Sequence, residues 1–137
     1  MTKKKILLID DEVSLCKFIK LNLEHTGEYE VTVAHSGEEG IEKAHQSTFD
    51  LVITDFKMSG MDGPAVLRAL KQMTPHIPVV LCSVYHDDAG TVDVDLLNKA
   101  DGIIEKPLKH EQLYQTIREA LAKRRADDTT QPDRAAG

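Results

Sequence analysis

Four short apolar runs in this chain each stop on a residue with chemistry to offer. Leu7-Leu8-Ile9 runs into Asp10-Asp11-Glu12, and Leu51-Val52-Ile53 passes through Thr54 to Asp55. Val79-Val80-Leu81-Cys82 reaches Ser83, and Ile103-Ile104 leads through Glu105 to Lys106-Pro107. Singly, each has an ordinary explanation. Acids ahead of a helix cap it and favour its dipole. An Asp forms turns, a strand-end serine bonds to backbone, and a loop lysine is solvated. Jointly they are a reagent set. If the strands are parallel, Asp10, Asp11 and Asp55 fall on one edge, and three crowded carboxylates raise one another's pKa. A hard divalent cation relieves that repulsion, and Mg²⁺ suits a few carboxylate oxygens with retained waters. With a lysine and a hydroxyl added, these are the parts of phosphoryl transfer to a carboxylate: Asp55 as nucleophile, cations on the equatorial oxygens.

The elements that must carry these residues alternate along the chain. Residues 5–9, 30–34, 51–54, 79–82 and 102–104 read as strands, their unbroken apolar runs implying cover on both faces, as in a parallel sheet. Leu15, Ile19 and Leu23 recur at helical spacing, as do Leu113, Ile117 and Leu121. Ser36 with Glu39 has the form of a capping box ahead of Ile41 and Ala44, and Pro64 suits the first position of a helix carrying Val66, Leu67, Leu70 and Met73. The result is an α/β fold, a doubly wound five-stranded parallel sheet with flanking helices, (βα)5 and flavodoxin-like. The helix between the last two strands, within residues 86–100, is expected to be short or irregular, because Gly90, Thr91, Val92 and Val94 are weak helix formers. Residues 1–125 read as one domain. Residues 126–137, polar and aperiodic, read as a flexible tail or linker.

Composition narrows the partners. A net charge of −6 argues against direct nucleic-acid binding, which needs a basic surface. The apolar run after MTKKK is too short for a signal peptide or a membrane span. Cys16 and Cys82 lack metal-ligand spacing and read as reduced and buried, which makes a cytoplasmic setting the expectation.

At "LLIDDE", "ITDFKMSGMDG", "VVLCSV" and "IIEKPL" the chain resembles the receiver domain of two-component response regulators, over roughly residues 4–123. The resemblance implies Asp55 as phosphoacceptor, Asp11 as a direct Mg²⁺ ligand, Asp10 as a ligand acting mainly through water, and the Lys57 carbonyl as a further ligand. It implies that Ser83 and Lys106 bind phosphoryl oxygens, that the Lys106-Pro107 bond is cis, and that Asp62-Gly63 forms a structural turn, with Gly63 supplying backbone freedom. It also implies a sensor histidine kinase or phosphotransfer protein as donor, a downstream effector protein or domain as output, possible homodimers, and no enzyme activity beyond assisting its own phosphotransfer and dephosphorylation. Three positions depart from the family. Ser59 replaces a usual proline, Val84 follows the hydroxyl residue where a small residue is usual, and Ile103 occupies the aromatic switch position. Two other readings compete. A phosphorylation-independent binding module on the same fold draws on Val84 and Ile103. A Mg²⁺ phosphatase of the haloacid dehalogenase type needs an acid two residues after the nucleophile, where this chain has Lys57.

Overall fold

The computed structural model describes residues 3–83 and 99–136, with side chains as far as residue 123. Five strands, β1 (Lys4–Ile9), β2 (Tyr29–Ala34), β3 (Leu51–Asp55), β4 (Val79–Ser83) and β5 (Gly102–Glu105), form one sheet in the order β2-β1-β3-β4-β5. Every pairing is parallel. Helices α1 (Val13–His25), α2 (Gly37–Gln46), α3 (Gly63–Met73) and α4 (His110–Ala136) flank it.

The unbroken apolar runs follow from burial on both faces, because successive side chains of a strand point to opposite sides. On β1, Ile6 and Leu8 pack with Cys16, Ile19 and Leu23 of α1 and with Leu113, Ile117 and Ala120 of α4. Leu7 and Ile9 join the other core with Val66, Leu67 and Leu70 of α3. The central strand β3 is buried along its whole length, and β1 and β4 are buried up to or next to their carboxyl ends, so polar chemistry is left to those ends.

Local signals behave as the residue types dictate. The Ser36 hydroxyl accepts the Glu39 N–H at 3.0 Å, while the Glu39 carboxylate accepts the His35 N–H at 2.7 Å. Asp62 caps α3 by accepting the Ala65 N–H at 3.0 Å, which gives it a structural task. Pro64 is the second residue of that helix, not the first, because Gly63 precedes it.

One expectation is corrected. Gly63 has no positive φ, and glycine is needed there for space: a Cβ would lie 2.5 Å from the Asp55 carbonyl oxygen and 2.8 Å from Phe56 Cα. Backbone freedom is called for at Gly60, with φ of 75°. The backbone of α4 runs on to Ala136 and includes Pro132, and extending a helix already anchored by packing costs far less than starting one. The irregular helix expected before β5, together with Val84, lies outside the described residues, apart from its end at Lys99 and Ala100.

Candidate active site

Three loops at the carboxyl ends of β1, β3 and β5 converge. Adjacent parallel strands β1 and β3 bring the end of one beside the end of the other, with Ile9 paired to Thr54. One carboxylate oxygen from each of Asp10, Asp11 and Asp55 lies within 4.8 Å of the others. Asp11 is exposed, but Asp10 and Asp55 are buried, and with Thr54 they make up the buried polar side chains among the described residues. Burying two carboxylates is costly unless something compensates.

Lys106 is part of that compensation. Its Nζ lies 3.2 Å from Asp10 Oδ2 and 3.2 Å from Asp55 Oδ1. Backbone donors add to it: Glu12 N–H reaches Asp10 Oδ1 at 2.9 Å, and Phe56 N–H reaches Asp55 Oδ1 at 2.9 Å. The balance is incomplete. Burial, and next the Asp10 charge, push the Asp55 carboxyl above the ordinary Asp range despite Lys106. Burial opposes the charge on Lys106, yet the carboxylates of Asp55 and Asp10 outweigh it and hold the ammonium above the usual lysine value.

An all-oxygen donor set with more negative than positive charge fits a hard divalent cation. The carboxylates of Asp10, Asp11 and Asp55 would hold it. Ser83 stands at the same sheet end, one residue past the β3 partner Cys82, and its carbonyl accepts the Lys106 N–H at 2.8 Å. Lys57 lies in the loop two residues beyond Asp55, with its side chain exposed. The Lys106-Pro107 bond is cis. Ile103 is 41% exposed, so the residue at the switch position stands half out of the core.

The profile of the response regulator receiver domain matches residues 6–118. The chain belongs to that family. Among its relatives, the receiver domain is 35% identical over 127 residues to the transcriptional regulatory protein ZraR of Escherichia coli, covering 93% of this chain and 28% of that protein. It is also 35% identical over 119 residues to the response regulator ArlR of Staphylococcus saprophyticus, covering 85% of this chain and 52% of ArlR. The chain therefore spans only about a quarter to a half of these curated relatives. A receiver domain protein from Clostridium thermocellum superimposes with a TM-score of 0.79 at 32% identity, covering 90% of this chain and 98% of that one. A CheY-like receiver protein from Methanospirillum hungatei gives 0.83 at 29%, covering 92% and 99%.

Two further residues touch the acidic loop of the receiver and escape a reading of the sequence. Cys16 Sγ lies 3.3 Å from the Asp10 carbonyl oxygen, and His35 Nδ1 lies 3.3 Å from the same atom. The available signal was strand register: Ile9 pairs with Ala34, so residue 35 follows alongside residue 10. Burial pushes the Cys16 thiol up to about 12, with the charge of Asp10 adding to it, which leaves a neutral thiol suited to donating a weak hydrogen bond.

Proposed function

We propose that this receiver domain is the phosphoacceptor of a two-component phosphorelay, and that Asp55 carries the phosphoryl group. The observation supporting this reading most is the trio of carboxylates at one sheet end with a single lysine bridging two of them. An Asp55 carboxylate oxygen attacks phosphorus on a phosphohistidine, from a sensor histidine kinase or phosphotransfer protein. The phosphorus–nitrogen bond breaks, its electron pair stays on the imidazole nitrogen, and an acyl phosphate is left on the receiver. Mg²⁺, when bound, neutralises charge on the transferring group. Asp11, Asp55 and the carbonyl of Lys57 would hold it, with Asp10 acting mainly through water. Lys106 and the Ser83 hydroxyl bind phosphoryl oxygens. Water later hydrolyses the acyl phosphate, and the domain turns over no other substrate.

The phosphorylated receiver controls an effector protein or domain through protein contacts. Residues 1–125 constitute the signalling unit, and the residues from 126 lead away from it. No described helix is long and apolar enough to cross a membrane. Incubation with acetyl phosphate and Mg²⁺ should add one acid-stable, base-labile phosphoryl group. Asp55→Asn should abolish the label, because an amide is not a nucleophile. Full labelling of that variant would move the acceptor elsewhere, and labelling insensitive to chelation would remove the metal from the reaction.

A further inference from the structure

The strand β2 lies at one edge of the sheet. Its residues alternate in direction. The carbonyls of Glu28 and Ala34 accept the N–H groups of Lys4 and Asp10, so even-numbered residues turn their backbone toward β1. Tyr29, Val31, Val33 and His35 therefore turn theirs outward. A row of outward N–H and C=O groups is a template for another strand.

Two helices reach over this row with matching side-chain pairs. On α1, Lys20 and Glu24 lie one turn apart and 3.4 Å from each other. Lys20 Nζ donates to the Val31 carbonyl at 2.6 Å, and Glu24 Oε2 accepts the Val31 N–H at 3.0 Å. On α2, Glu39 and Lys43 form the second pair, 3.5 Å apart. Lys43 Nζ donates to the Val33 carbonyl at 2.9 Å, and Glu39 Oε1 accepts the His35 N–H at 2.7 Å. Each pair thus offers the edge one donor and one acceptor, as a neighbouring strand would.

We infer that the ion pairs Lys20–Glu24 and Glu39–Lys43 close the β2 edge to strand addition, and that the partner they exclude is β2 of a second copy of this chain. Two copies of β2 related by a twofold axis through Thr32 would run antiparallel, with Val31 of one opposite Val33 of the other exchanging hydrogen bonds. Three of those four atoms, the Val31 N–H and carbonyl and the Val33 carbonyl, are ones the side chains occupy. The carboxyls of Glu24 and Glu39 are both held below the ordinary glutamate range, chiefly by the Val31 and His35 N–H groups, as expected of carboxylates engaged with backbone donors. The pairs differ from ordinary exposed i,i+4 bridges, which stabilise little, because here each also satisfies backbone.

The test replaces Lys20, Glu24, Glu39 and Lys43 together with Ala, which favours helix and leaves the formal net charge unchanged, since two positive and two negative groups are removed. Light scattering across a concentration series should show association beyond that of the wild-type protein. Hydrogen exchange should place new protection at the Val31 and Val33 amides in the associated form. A variant with native circular dichroism and the wild-type association state at every concentration would overturn the inference. Should the fourfold variant not fold, Glu24→Ala alone suffices: the Val31 amide should exchange at least about tenfold faster than in wild type, with neighbouring β2 amides that face β1 unchanged. Unaltered exchange at Val31 would show that Glu24 does not guard the edge.

Discussion

Two lysine–aspartate contacts stand at opposite ends of the same sheet and have opposite character. At the amino end, Lys71 Nζ lies 2.9 Å from Asp101 Oδ2 and also donates to the Ile77 carbonyl at 2.6 Å. The same Asp101 oxygen accepts the Val79 N–H at 2.9 Å, and its carbonyl accepts from Lys123. One positive and one negative side chain cancel, and the backbone uses what remains. At the carboxyl end, Lys106 faces Asp10 and Asp55 at equal 3.2 Å distances, with Asp11 adding a third negative charge. A lysine–carboxylate contact occurs at both ends, part-buried at the amino end and with buried carboxylates at the other. Surplus negative charge, and the raised Asp55 carboxyl that goes with it, occurs at one. The difference teaches that an unbalanced ion cluster, not an ion pair, marks the reactive end.

The contrast sharpens most on removing each lysine. Lys106→Ala leaves two buried carboxylates facing each other, and urea denaturation without divalent cations should show a loss of about 3 kcal/mol, the lower end for breaking a buried pair. Added Mg²⁺ should recover much of it, because a cation again faces the acids; no recovery would mean these carboxylates are not its site. For Lys71→Ala the expected loss is smaller, about 1.5 kcal/mol, as for a hydrogen bond to a charged group. Mg²⁺ should not restore it, and Asp55 labelling should proceed at the wild-type rate. Slowed labelling in that variant would show that the two ends are coupled and break the comparison.

The smallest effect is in the pH dependence. A carboxyl whose pKa is raised by folding holds its proton longer in the folded state than in the unfolded one. Below the ordinary Asp range Asp55 costs nothing. Its contribution then turns unfavourable as pH rises from that range through the folded pKa. Lys106 stays charged throughout this window, its own contribution being lost only when pH rises through its raised value. Wild-type stability without metal should therefore fall relative to Asp55→Asn as pH climbs toward neutrality. The fall is at most about 1.4 kcal/mol for every pH unit by which folding raises the carboxyl. Parallel stability curves for the two proteins would contradict the raised carboxyl.

Legibility followed the physics that each feature depends on. The strands were readable to within a residue because burial on both faces demands unbroken runs such as Leu51-Val52-Ile53. The gathering of Asp10, Asp11, Asp55 and Lys106 was readable because parallel strands bring the ends of successive runs together, although each residue alone has an ordinary use. Lys71 with Asp101, 30 positions apart, was not, since any pairing of a common lysine with a common aspartate looks alike in sequence. Nor were Lys20, Glu24, Glu39 and Lys43, which have the spacing of a solvated helix face and disclose their edge contacts only once the sheet order is known.

Lys106 meets Asp10 across 96 positions of sequence. Translation therefore places the carboxylates of Asp10 and Asp55 in the growing chain well before the lysine that bridges them. Until then Asp10 and Asp55 have no lysine between them, and an amino-terminal fragment ending short of Lys106 carries the acids without their counter-charge. The surplus negative charge at this sheet end is thus largest in the part of the chain that is made first.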